Sequence, residues 1–183
     1  METAEERRLC VDRPALITGV GGPAGKAAAR FFRGKGFRVH GTDIVPTAAE
    51  TDEFSIVPRG DNPEFADAIL AIVHRAHPCL FLCTVTEEIP AAAALKETLR
   101  SMGVSVYATD PGMACIANDK YLTARFLFAQ GIAAPRTFSD LECASAREAG
   151  ERLGYPFIAK PRHGRGGRGV VVVNDPAMAE REV

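Results

Sequence analysis

The stretch PALITGVGGPAGKAAARFFRGKGFRVHGTDI, Pro14 to Ile44, changes its periodicity twice. PALITGV, Pro14–Val20, is a short unbroken apolar run bounded by glycine, which reads as a buried strand. AGKAAARFFRGKG, Ala24–Gly36, is alanine-rich and stops at glycine, as a helix does. FRVHGTDI, Phe37–Ile44, reads as a second strand. A tight glycine turn therefore links a strand to a helix, and the helix leads to another strand.

The same alternation continues outward. A short strand FSIVP (Phe54–Pro58) precedes the helix NPEFADAILAIVHRA (Asn62–Ala76), then CLFLCTV (Cys79–Val85), which is too uniformly apolar to have one wet face. That run implies a parallel sheet covered on both sides. EIPAAAALKETLRSMG (Glu88–Gly103), with proline in its first turn and glycine at its end, reads as a helix leading to the strand VSVYATD (Val104–Asp110). Five strands with intervening helices predict an α/β fold, a Rossmann-like doubly wound parallel sheet.

A second unit follows. NDKYLTARFLFAQG (Asn118–Gly131) reads as a helix with Asn118 as its cap, and IAAPRTFSD as an extended connection. LECASAREAGERLG (Leu141–Gly154) reads as a surface helix, YPFIAKP as a strand, GVVVVND as its return, and PAMAEREV as the start of a helix. The resulting division is a tail over 1–13, a Rossmann-like domain over 14–113, a linking helix over 114–135, and a small unit over 136–183.

Composition limits the function. The 183 residues are 46% hydrophobic and 25% charged, with a formal charge of -1, so the chain reads as globular and has no overall basic field for nucleic acid or anionic membrane. Any anion site must be local. Apolar runs fall short of the roughly 20 residues of a membrane span, and METAEERRLCVDRP at the start lacks the apolar core of a secretory signal. A cytoplasmic location is the expectation. The five cysteines are irregularly spaced and read as reduced thiols. In HRAHPCLFLC, His74, His77, Cys79 and Cys83 are metal-ligand types. On a strand, however, the two sulfurs would stand roughly 13 Å apart, and both histidines suit a helix end.

Two glycine clusters carry the chemistry. In TGVGGPAG (Thr18–Gly25), Gly19, Gly22 and Gly25 fit G-x-x-G-x-x-G, and Gly19, Gly21 and Ala24 fit G-x-G-x-x-A. Either lets backbone approach a pyrophosphate at a helix N-terminus, with Asp43 available to a ribose hydroxyl, as in an NAD(P)-binding dehydrogenase or epimerase. The same turn also occurs where glycine serves only strand-to-helix packing. The Tyr-x-x-x-Lys pair of short-chain dehydrogenases is lacking at Tyr121, where the fourth residue on is Arg125. In AKPRHGRGGRGVVVV (Ala159–Val173), Lys160 at a strand end supplies a cation, and Gly164, Gly166, Gly167 and Gly169 let amide groups fold over phosphate oxygens. This loop leads into a strand, unlike a Walker loop. The alternatives are a basic hairpin tip with Arg162, Arg165 and Arg168 solvated, or a nucleic-acid tip, for which no aromatic side chains interleave the arginines.

From Thr18 onward the chain resembles the N-terminal portion of an ATP-grasp enzyme, similar to the carbamoyl phosphate synthetase large-subunit group. The resemblance is carried by ITGVGGPAGKAAARFFRGKGFRVHGTDI, NDKYLTARFLFAQGIAAPRT and YPFIAKPRHGRGGRGVVVV in that order. It implies a pre-ATP-grasp domain followed by a small α+β first ATP-grasp subdomain, with the catalytic lobe absent. Lys120 and Lys160 then match the basic residues that meet the nucleotide phosphates. Gly164, Arg165, Gly166, Gly167, Arg168 and Gly169 match the lid over them. Gly21, Gly22 and the TVTEE loop with Glu87 and Glu88 fall on the substrate side, where a glutamate could orient an amine; Glu88 equally suits a helix start.

The implied reaction is ATP-dependent joining of a carboxylate to an amine through an acyl phosphate, with ATP and magnesium. Asp175, Glu180 and Glu182 match none of the family's metal positions, so magnesium ligands are expected from a lobe beyond this chain. That lobe would come from a downstream domain or a second chain. The chain alone is expected to bind ATP at most. The alternatives are the dehydrogenase-like reading and a catalytically inactive interaction module.

Overall fold

The computed structural model describes residues 13–164 and 166–182. They fall into two compact units, which divide between Ala114 and Cys115.

In the first unit, β1 (Ala15–Thr18), β2 (Val39–Asp43), β3 (Glu53–Ile56), β4 (Leu80–Leu82) and β5 (Ser105–Val106) form one sheet in the order β3-β2-β1-β4-β5. Every pairing is parallel, and Ala15 stands between Val39 and Leu80. The α/β reading with a parallel five-stranded sheet is what the structure shows. Helices α1 (Pro23–Gly34), α2 (Phe65–Ala76) and α3 (Ile89–Ser101) cover the sheet.

Strand alternation sorts the core into two layers. Leu16 and Phe81 point to one face, against Phe65, Ile69 and Val73 of α2 and Leu99 of α3. Ala15, Ile17, Val39 and Leu80 point to the other, against Ala29 and Phe32 of α1. Because both faces are covered, β1 is buried at all four positions, which explains its unbroken apolar spelling.

Element ends depart from the sequence reading where distant partners intervene. The apolar run Cys79–Val85 pairs as a strand only over Leu80–Leu82. Thr84 then leaves the ladder: its N–H donates to Thr18 Oγ1 at 3.2 Å and its own hydroxyl to the Thr18 carbonyl at 2.7 Å. A 3-10 turn over Thr86–Glu88 leads into α3, whose proline sits in the first turn. At the far end of α2, His77 adopts a left-handed conformation with φ 46°. Arg13 donates to the carbonyls of His77, Pro78 and Gly103 at 2.7 to 2.9 Å, tying the end of α2 to the connection after α3.

His40 of β2 is almost fully buried beside β3. Its Nε2 lies 2.9 Å from Ser55 Oγ, and its Nδ1 lies 3.2 Å from Glu53 Oε2.

Helix α4 (Pro111–Asn118) runs across the division between the units. Its first three residues lie ahead of the linking helix read over 114–135: proline suits a first helical position, and Asp110 Oδ1 accepts from the N–H of Gly112 at 2.8 Å. Because α4 already uses Asn118, the cap of α5 (Lys120–Ala129) is Asp119, one residue later than the sequence predicts. Its Oδ1 accepts from Tyr121 N at 2.8 Å and Leu122 N at 3.2 Å.

Helix α6 (Ala146–Leu153) is shorter than the predicted Leu141–Gly154. Ser145 caps it by accepting from Glu148 N at 3.2 Å, while the Glu148 carboxylate accepts from Ala144 N at 2.8 Å; Leu141 lies outside, largely exposed. β6 (Phe157–Ala159) and β7 (Val171–Val173) pair antiparallel, Phe157 opposite Val173, and α7 (Pro176–Glu182) follows. The glycine loop is the connection between these two strands.

Candidate functional site

The loop of the second unit is built by its glycines. Gly164, Gly166, Gly167 and Gly169 all take positive φ, between 66° and 104°, which side-chain-bearing residues rarely adopt. At Gly169 a Cβ would also stand 2.8 Å from Pro161 Cγ. Lys160 directly follows β6 and is exposed, as is Arg168. Arg165, assigned to the lid by the resemblance, lies outside the described residues.

The root of the loop is held by the start of α5. The Lys120 N–H donates to the Arg162 carbonyl at 3.0 Å, and Lys120 Nζ donates to the Gly164 carbonyl at 2.9 Å and the Arg162 carbonyl at 3.4 Å. Arg162 donates through Nε, at 3.0 Å, and Nη2 to Asp119 Oδ2, and its guanidinium lies over the Tyr121 ring at 5.3 Å. His163 Nδ1 lies 3.1 Å from the Asn118 carbonyl. Burial by itself pushes the Asp119 carboxyl up, but Arg162 and the N–H groups of Leu122 and Tyr121 outweigh it and hold the group below the usual carboxylate range.

Lys120 and Gly164, 44 positions apart, are thus brought together. Arg162 is paired, where a merely basic hairpin tip would leave it in water. Sequence reasoning missed Asp119, Arg162 and His163 as members of the site. For Asp119 a signal was present: an aspartate immediately before a helix is a common cap.

The other glycine cluster sits in the first unit, at the carboxyl ends of β1 and β4, where the strand order of the sheet reverses. The Gly21 N–H donates to Asp43 Oδ2 at 2.8 Å and the Ile44 N–H to Asp43 Oδ1 at 2.8 Å. A donor suited to pyrophosphate is therefore occupied by a carboxylate, and the acid suited to a ribose hydroxyl is the one that occupies it. Close packing explains the glycines here: a Cβ on Gly25 would lie 2.2 Å from the Gly19 carbonyl oxygen, and one on Gly19 would lie 2.3 Å from Val85 Cγ2. Gly22 caps α1 through its backbone.

Glu88 is turned inward beside this turn, with 3% of its surface exposed. The Thr18 hydroxyl donates to Glu88 Oε2, and Cys83 Sγ lies 3.5 Å from the same oxygen. Burial pushes the Glu88 carboxyl up to about 6, against the opposing effect of the Thr18 and Cys83 hydrogen bonds. Burial and the neighbouring Glu88 charge push the Cys83 thiol up to about 12, so it is a protonated thiol at neutral pH. Glu87 is half-buried. Among the described residues no group of three or more His, Cys, Asp and Glu side chains is arranged to hold a metal ion. No helix among them is long and apolar enough to cross a membrane.

Residues 117–183 match the family model described as ATP-grasp domain. Over 89 residues, 49% of this chain, the sequence is 34% identical to the carbamoyl phosphate synthase large chain of Bifidobacterium animalis subsp. lactis (strain AD011). The aligned part is 8% of that relative's length. The fold is similar to the N5-carboxyaminoimidazole ribonucleotide synthetase of Thermotoga maritima, with TM-score 0.67 and 21% identity over 93% of this chain and 43% of that one. It is also similar to the biotin carboxylase domain of the Hydrogenobacter thermophilus 2-oxoglutarate carboxylase, solved with MgADP, ADP and bicarbonate. There the TM-score is 0.67 and the identity 14%, over 91% of this chain and 39% of that one. The resemblance to ATP-grasp enzymes and to the carbamoyl phosphate synthetase large-subunit group is thereby shown over part of the chain. The chain spans under a tenth of this curated relative and under half of each solved chain.

Proposed function

We propose that this chain forms part of an ATP-dependent carboxylate-amine ligase of ATP-grasp type, and that its second unit grips the nucleotide phosphates. The supporting observation is the meeting of Lys120 with the root of the glycine loop, through Nζ and the Gly164 carbonyl 2.9 Å apart. Lys120 and Lys160 supply fixed cations. The amides of Gly164, Gly166, Gly167 and Gly169, with the side chains of Arg165 and Arg168, close over the phosphate oxygens as a lid. Such a grip orients the terminal phosphoryl group and offsets its charge. ATP supplies the phosphoryl group that activates a carboxylate as an acyl phosphate, which an amine then captures. Among the described residues no group of three or more His, Cys, Asp and Glu side chains is arranged to hold the magnesium that accompanies ATP. Its ligands are assigned to a further domain or a second chain, and this chain alone binds ATP at most.

The first unit, on this reading, is the pre-ATP-grasp domain, and Gly21, Gly22, Glu87 and Glu88 lie on its substrate side. The self-occupied turn, with Asp43 on the Gly21 N–H, favours this over nicotinamide dinucleotide binding.

Thermal unfolding with ATP or NAD, each with and without magnesium, tests the proposal. ATP is expected to raise the melting temperature, and Lys160→Ala to abolish the rise. Stabilisation by NAD and not by ATP would establish the dehydrogenase-like reading instead. Indifference to both would leave an interaction module.

A further inference from the structure

We propose that Arg162 is a positioning residue of the nucleotide site: clamped by Asp119, it holds the root of the lid against Lys120 and so presets the lysine and the loop as one unit. This rests on the ATP reading above and adds a residue pair to it.

The argument starts from Asp119. Its side chain is 4% exposed and both oxygens are committed, Oδ1 to the first turn of α5 and Oδ2 to the Arg162 guanidinium. One buried acid thus starts a helix and clamps a loop. The two N–H donors that Arg162 directs at Asp119 Oδ2, and its position over the Tyr121 ring, leave its side chain engaged away from any phosphate. Its function lies in its backbone. The carbonyls of Arg162 and Gly164 take two donors of the Lys120 ammonium, which has three. Consecutive links from Asn118 to His163, from Asp119 to Arg162 and from Lys120 to Arg162 lay the loop root along the start of α5.

A glycine-rich loop loses much conformational freedom when it closes over a ligand. Anchoring its root beforehand lowers the ordering that binding must supply, and aiming the lysine beforehand does the same for the cation.

Asp119→Asn isolates the clamp, because asparagine remains a good helix cap while its charge is gone. We expect Asp119→Asn and Arg162→Gln each to weaken ATP binding about tenfold, the effect of losing one charge-assisted pair. The double variant should be no weaker than either single one. Arg162→Lys, which keeps the charge but not the fork, should fall between. Losing the pair should lower the melting temperature of Asp119→Asn, and hydrogen exchange at the Lys120 amide should quicken more than at the amides of α6, which a general loss of stability would affect equally. If Arg162→Gln fails to fold, Asp119→Asn carries the test. Should the parent bind ATP and Asp119→Asn bind it equally well, the positioning role is overturned and the ATP reading stands. Should the parent bind no ATP, both fall together.

Discussion

The hydroxyl of Thr18, at the end of the central strand, donates to the buried carboxyl of Glu88, 70 positions further along the chain. The same hydroxyl oxygen accepts the N–H of Thr84. Thr18 therefore joins the first strand, the loop after β4 and the start of α3 at the crevice where the strand order reverses.

The titration of Glu88 makes this measurable. Its native value, about 6, lies above the ordinary 4.5, so the stability it contributes is fully present below pH 4.5 and is lost as pH rises through about 6. The size is roughly 2 kcal/mol, from about 1.4 kcal/mol per pH unit of displacement. Glu88→Gln should remove this dependence. Urea unfolding of both proteins between pH 4.5 and 8 is expected to show the glutamine protein gaining relative stability at the alkaline end; parallel profiles would refute it.

His40 slopes the other way. Burial lowers its pKa below 6.5, partly countered by Glu53. Above pH 6.5 both native and unfolded imidazoles are neutral and the group adds nothing. As pH falls below 6.5 the unfolded chain takes the proton first, so stability drops. A proton NMR titration should place the His40 midpoint below 6.5; a midpoint at or above that value contradicts the burial argument. Because Glu88 and His40 act oppositely in one pH range, each must be read from a variant's difference and not from the total.

The turn glycines differ sharply in what they tolerate. Gly25→Ala would put a methyl 2.2 Å from the Gly19 carbonyl oxygen, whereas Gly34, at the end of α1, has nothing within 4 Å. We expect Gly25→Ala to cost about 3 kcal/mol or prevent folding, and Gly34→Ala to be neutral or stabilising by up to about 1 kcal/mol. Denaturant midpoints decide both.

Lys120 and Lys160 should separate structure from binding. Lys160→Met replaces an exposed side chain and should leave the melting temperature unchanged while weakening ATP binding about tenfold or more. Lys120→Met also takes the ammonium donor from the Gly164 carbonyl, while the Arg162 carbonyl keeps the Lys120 N–H, so it should weaken ATP binding and lower the melting temperature slightly. Calorimetric titration beside a thermal melt distinguishes the two patterns.

Much of this architecture was legible in the chain because its signals are local. The apolar spelling of Ala15–Thr18, the proline and glycines bounding α1, and the proline in the first turn of α3 each act within a few residues of where they stand. The four loop glycines likewise announce a backbone that needs positive φ. The misplacements arose where a neighbour or a distant partner intervened. The strand at Cys79–Val85 ends early because Thr84 finds Thr18, and the cap of α5 moved to Asp119 because α4 had used Asn118.

By itself, then, the sequence determined the alternation of strands and helices, the glycine loop and its lysines, since these follow from backbone propensity and hydrophobic period. Only the tertiary structure decided that Thr18 and Glu88 share a buried hydrogen bond, and that Asp119 holds Arg162 while Lys120 meets Gly164. Those pairs lie 43 to 70 positions apart, and no local preference links them. Folding carries the carboxyls of Glu88 and Asp119 out of water, where each must find a partner, and the clamp on Arg162 brings the loop root to Lys120.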